Sequence, residues 1–133
     1  MKKLFKTVEH IGIYSSDTTR LANWYIELFG LELLLKIEKR PESKSVYFLK
    51  SNGTVIEVLP AKSDAGMERE IGDTGINHIG VIVENFDEAE KYFEKRGVVL
   101  SDIRETSLGW KIGYLRDLED NIIEVIHKPE NHF

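Results

Sequence analysis

The chain has 133 residues, 41% of them hydrophobic and 31% charged, enough for one domain with a packed core. A net charge of −5 argues against nucleic acid or an anionic membrane as a partner. With no cysteine there is no disulfide, thiolate ligand or cysteine nucleophile.

No apolar run approaches the roughly 18 residues of a membrane span. The basic start, Met1 to Lys6, is followed by no apolar segment, so no secretory signal is expected and the cytoplasm is the expected location. The first motif is His10-Ile-Gly-Ile, a short strand-like run. An amphipathic stretch from Asp17 to Phe29 follows. Leu21, Tyr25 and Leu28 lie at i, i+4 and i+7 with Trp24 beside them, Asp17 suits an N-cap, and Gly30 suits a left-handed C′ residue. Strands are expected at Leu31–Ile37, Val46–Leu49 and Thr54–Leu59, with Asn52-Gly53 as a hairpin turn.

The segment from Pro60 to Gly75 holds one proline, three glycines and several charges. It reads as a linker, with a short helix expected near Met67–Ile71. Then the order repeats. His78-Ile-Gly-Val returns 78 − 10 = 68 residues after the first motif. A second amphipathic stretch runs from Asp87 to Arg96, with Ala89, Tyr92, Phe93 and Arg96 on one face, Asn85 or Asp87 as cap, and Gly97 as the stop. Strands are expected at Val98–Ile103, Lys111–Leu115 and Asn121–Ile126, and Glu119-Asp120-Asn121 stands where Asn52-Gly53 stood. The expected fold is therefore α+β: two tandem β-α-β-β-β modules, about 5–60 and 76–128, joined by a linker at 61–75 within one domain of 1–133. Neither module alone buries enough surface to be stable.

Four residues recur at matched places: His10 and Glu57, then His78 and Glu124, spaced 57 − 10 = 47 and 124 − 78 = 46. Side chains alternate along a strand. Glu57 is flanked by Ile56 and Val58, and Glu124 by Ile123 and Val125, so both carboxylates sit in strands that are apolar on both faces. Such a strand is covered on both sides, and a carboxylate there costs several kcal/mol unless it is paired or bound to metal. His10 shares a face with Gly12, and His78 with Gly80. The helices then cover the Ile11/Ile13 and Ile79/Val81 faces, and the glycines leave space beside the imidazoles. Taken singly, a buried histidine is most often a satisfied core residue. Four such residues at matched positions point to one divalent ion, since imidazole with carboxylate suits Zn, Ni, Co, Mn or Fe(II). His127 and His132 are expected to be ordinary surface residues.

The chain resembles the vicinal oxygen chelate superfamily, which includes glyoxalase I, methylmalonyl-CoA epimerase, extradiol dioxygenases, fosfomycin-resistance proteins and bleomycin-binding proteins. The matching residues are His10-Ile-Gly-Ile, Trp24-Tyr25 through Phe29-Gly30, Ile56-Glu57-Val58, His78-Ile-Gly-Val, and Asp117 through Asn121-Ile-Ile-Glu124. The resemblance implies an incomplete barrel around one metal, held by His10, Glu57, His78 and Glu124. That ligand set looks like the glyoxalase I and epimerase side of the family. Glyoxalase I typically has an Arg four residues after the first His, where this chain has Tyr14. It also has an Asn shortly after the first Glu, where this chain reads Val58-Leu59-Pro60-Ala61. Both departures argue against a glutathione adduct, because a lost Arg–carboxylate pair removes a strong contact. The usual turn before the last strand is kept only at its ends, in Asp117 and Asn121.

The resemblance implies a metal-dependent lyase or isomerase. Ni, Co or Zn is the first expectation for the ion, with Mn or Fe next. A substrate with adjacent oxygens fills the open positions of the ion, which stabilises an enediolate as a C–H proton leaves. Glu124 is the expected base, with Glu57 second. Tyr14, Tyr47, Trp110 and Tyr114 are candidates to line the pocket, although aromatic packing accounts for each as well. Two other classes stay open: an Fe(II)- or Mn(II)-dependent dioxygenase or thiol transferase, and a non-enzymatic small-molecule binder. A homodimer is expected, with each site built within one chain or across two.

Overall fold

The computed structural model describes residues 4–63 and 68–129. The chain divides into two compact units, Met1–Ala65 and Gly66–Phe133, and each repeats the expected order of elements.

The first unit runs β1 (His10–Ser15), α1 (Thr18–Phe29), β2 (Glu32–Ile37), a 3₁₀ turn (Glu42–Lys44), β3 (Val46–Lys50) and β4 (Val55–Pro60). The sheet order is β1-β4-β3-β2. β1 and β4 are parallel, while β3 is antiparallel to both β4 and β2. A parallel pair needs a long crossover, which α1 and the two middle strands supply. α1 begins where Asp17 accepts from the Arg20 N–H and ends at Gly30, whose φ of +67° suits glycine and whose N–H bonds the Ile26 carbonyl. Leu21, Tyr25 and Leu28 are buried as their spacing requires, together with Ala22 and Thr18. They pack with Ile13, Tyr47, Leu49, Ile56 and Val58, the buried hydrophobic residues of β1, β3 and β4. Each buried leucine, isoleucine or valine among them contributes roughly 1.5–3 kcal/mol of transfer free energy. Thr18 Oγ1 donates to the Ser43 carbonyl at 2.9 Å and ties the helix to the 3₁₀ turn, which the sequence did not announce.

The second unit runs β5 (His78–Ile82), α2 (Phe86–Glu94), β6 (Ser101–Glu105), β7 (Lys111–Arg116) and β8 (Ile122–His127), in the order β5-β8-β7-β6 with β5 and β8 parallel. Phe86, Phe93, Leu100, Leu115, Ile123 and Val125 are buried. A Cβ on Gly113 would meet Phe86, Ile103 and Leu100 at 3.2–3.4 Å, so this glycine marks a close approach to the sheet.

Four expectations need correction. α2 is capped by Asn85, starts one residue before Asp87 and ends at Glu94, because Phe86 enters the core and Lys95 forms the C-cap. Arg96 is exposed and stacks on Tyr92 at 3.6 Å instead of joining the packed face. The strand expected at Val98–Ile103 begins only at Ser101. The Val98 N–H still bonds the Phe93 carbonyl, Leu100 turns inward, and a register shift with Asp102 at φ +50° opens the strand. The helix expected near Met67–Ile71 is not formed by Glu68–Ile71. There the Glu70 N–H donates to Asp73 Oδ2 and the Asp73 N–H returns a bond to the Glu70 carbonyl, which makes a tight turn. Met67 lies outside the described residues.

Candidate metal half-sites

In each unit the first and last strands are parallel neighbours, and this register decides where the histidine and the glutamate fall. His10 pairs with Val55, which places Glu57 two residues further along β4. His78 pairs with Ile122, which places Glu124 two residues further along β8. The diagonal is the same in both units. Even offsets keep a pair on one face, so each His–Glu pair shares the face turned away from the helix core. Gly12 stands opposite Glu57 and Gly80 opposite Glu124. A Cβ on Gly80 would meet nothing within 4 Å.

His78 Nε2 lies 3.6 Å from Glu124 Oε2. Bonds of about 2.0–2.2 Å from one ion place neighbouring ligands about 3 Å apart, so a small rotamer adjustment lets this pair share an ion. Both imidazoles are oriented by the residue before them. His10 Nδ1 bonds Glu9 Oε2, and His78 Nδ1 bonds Asn77 Oδ1 at 3.1 Å. An accepting oxygen at Nδ1 keeps the hydrogen there and leaves Nε2 with its lone pair. A ligand histidine is commonly held in this way. Glu9 and Asn77 also obey the repeat, 77 − 9 = 68, a signal available in the sequence and passed over. Glu9 raises the His10 pKa, first through the hydrogen bond and then through its charge. Burial opposes this and Glu57 adds to it. Among the described residues, no third donor joins the pair within either unit.

The aromatic candidates separate. Tyr14 follows His10 and Gly12 on the exposed face of β1 and is 59% exposed. Tyr47 lies on the opposite face from Glu57. It pairs with Val58, so alternation sends it under α1, where its hydroxyl meets Thr19 Oγ1 at 2.7 Å. Tyr114 pairs directly with Glu124, and its hydroxyl donates to Glu124 Oε2 at 3.2 Å. Burial raises the Tyr114 pKa first, then the Glu124 charge and hydrogen bond, while Arg104 pulls it down. Ile112 and Ile122 complete a small buried cluster with Tyr114, and Ile126 packs on it. Trp110 precedes β7, with Lys128 Nζ 4.2 Å over its ring. His127 is not a plain surface residue. It is half-buried, with Nδ1 3.2 Å from the Val83 carbonyl. His132 lies outside the described residues.

Residues 9–114 match the family model for the Glyoxalase/Bleomycin resistance protein/Dioxygenase superfamily, and the chain belongs to that superfamily. No curated protein matches. Solved structures share the fold. A glyoxalase family protein from Enterococcus faecalis is 22% identical with a TM-score of 0.74, over 93% of this chain and 99% of that one. A lactoylglutathione lyase from Agrobacterium tumefaciens is 21% identical with a TM-score of 0.70, over 98% and 100%. The fosfomycin resistance protein FosX from Listeria monocytogenes is 19% identical with a TM-score of 0.74, over 94% and 95%.

Proposed function

We propose that the protein is a divalent-metal-dependent lyase or isomerase of glyoxalase type, acting on a small molecule with adjacent oxygens that is not a glutathione adduct. The observation that carries this reading is the repeated diagonal, which gives each module one imidazole and one carboxylate on the same open face. Two imidazoles and two carboxylates suit Ni, Co or Zn, with Mn or Fe next. His10, Glu57, His78 and Glu124 are the residues that would hold the ion. When bound, it supplies Lewis acidity at the substrate oxygens.

The rest of the chemistry belongs to the chain. Glu124 takes a proton α to a carbonyl and returns it to the neighbouring carbon. Tyr114 holds Oε2 of that carboxylate, which leaves Oε1 to face substrate. Glu57 is the second carboxylate, and Phe48 opposite it carries no hydroxyl. Tyr14 stands further along the open face, beyond Gly12. A homodimer belongs to this reading, since the edge strand β2 leaves Leu34 and Leu35 about half exposed.

The first test is the metal content of tag-free protein beside Glu124→Ala. The expected result is one divalent ion per chain that is lost or much weakened in the variant, followed by exchange of a substrate α-proton with D₂O. Protein that takes up none of Ni, Co, Zn, Mn or Fe(II) would sink the enzyme reading and leave a small-molecule binder. Oxygen uptake with Fe(II) and a catechol would reassign it as a dioxygenase.

A further inference from the structure

The proton transfer proposed above leaves one charged side chain on the Glu124 face without a task. Arg104 on β6 pairs with Ile112, and Ser101 of the same strand pairs with Tyr114. Cross-strand partners share a face, so Arg104 stands on the face that carries Tyr114 and Glu124. The register shift between Ser101 and Arg104, with Asp102 at φ +50°, sets this phase. Ile103 points the other way, within 3.3 Å of where a Cβ on Gly113 would lie.

Arg104 is exposed, and none of the ion pairs among the described residues involves it. The other cations of this face are committed. Arg116 donates to the Asp120 carbonyl and faces Glu70, and Lys128 sits over Trp110. Arg104 reaches the Tyr114 hydroxyl, by hydrogen bond first and then by its charge, and a guanidinium has five donors, more than one phenol oxygen can use.

We propose that Arg104 is a specificity residue that binds an oxyanion of the substrate, a carboxylate or a phosphate-type group, and so selects acidic small molecules for the site at Glu124. An acidic substrate approaching Glu124 meets a like charge, and Arg104 supplies the opposite one on the same face. The planar fork suits two-point recognition of such a group. Arg104 and Glu124 both reach the Tyr114 hydroxyl between them, so an anion at Arg104 stands one short carbon chain from the carboxylate. This inference deepens the proton-transfer reading and rests on it.

The test uses metal-free, ¹⁵N-labelled protein titrated by NMR with inorganic phosphate and, separately, with acetate. Wild type is compared with Arg104→Lys and Arg104→Gln, and zinc affinity is measured by calorimetry for each. Saturable shifts centred on Arg104 and Tyr114 are expected in wild type. They weaken in Arg104→Lys and fall by roughly tenfold or more in Arg104→Gln, with zinc affinity unchanged. The relative response to phosphate and acetate assigns the anion. Equal anion binding by wild type and Arg104→Gln, or no saturable binding in wild type, would overturn the proposal. Failure of wild type to bind zinc while its anion response persists would overturn the metal reading and leave the anion site standing. Arg104 is exposed, so the variants should fold, and their amide spectra check this.

Discussion

The Tyr114 hydroxyl donates to Glu124 Oε2 at 3.2 Å across the pair of strands β7 and β8. At the matching place in the first module Phe48 faces Glu57. The two carboxylates therefore have different partners opposite them, and only one is steered by a phenol.

Tyr114→Phe keeps the buried ring and removes the donor. Partners that orient a ligand commonly contribute 10–100-fold in metal affinity. The expected result is a fall of about tenfold in zinc affinity, read by calorimetry, with a far-ultraviolet spectrum like wild type. Unchanged affinity would show that the bond does not orient Glu124 for a metal.

Gly80 and Gly113 should respond in opposite ways to a methyl group. Gly113→Ala pushes into Phe86, Ile103 and Leu100 and is expected to cost about 1–3 kcal/mol by urea unfolding. Gly80→Ala meets open space and should lie within about 0.5 kcal/mol of wild type. Equal losses at the two positions would contradict the assignment of packed and open faces.

Asp117 is buried and accepts from the Glu119 and Asn121 backbone N–H groups and from the Asn121 side chain. Asp117→Ala strands those donors where Asp120 takes φ +62°. A loss of about 1–3 kcal/mol is expected, measured by chemical unfolding. A neutral result would mean that the β7–β8 turn holds its shape without the carboxylate.

Glu42 Oε1 accepts from Lys36 Nζ at 2.6 Å, and that ammonium holds the Glu42 carboxyl below its usual range. A lowered folded-state pKa stabilises the fold above the unfolded carboxyl's value, and this contribution is lost as the pH falls through the folded value. The pair is exposed, so the effect on stability is small. The direct readout is the Glu42 carboxyl titration by carbon-13 NMR, whose midpoint should rise in Lys36→Met. An unmoved midpoint would remove Lys36 as the cause.

The duplicated order of strands and helices was legible because period and punctuation agreed: Asp17 and Gly30 bound α1, and the His-Ile-Gly motif opened both modules. Alternation also placed His10, Glu57, His78 and Glu124 on faces away from the helices. Alternation alone does not place Tyr47, because its face follows from the β3–β4 register that pairs it with Val58. The late start of β6 was not legible, because it depends on Leu100 packing under α2 and on a left-handed Asp102. Arg104 escaped for the same reason, since an unseen register shift decides its face. Whether the four donors close on one ion lies beyond any strand pattern.

Because the diagonal rather than the loops sets each His–Glu pair, the donors respond to strand phase. One residue inserted in β4 before Glu57, or in β8 before Glu124, would turn that carboxylate toward the helix and bring an apolar neighbour to the open face. Changes of length in the segments that join the strands leave the pair alone. The scaffold thus confines its vulnerability to a few strand positions and leaves its connecting segments free to diverge in length and composition.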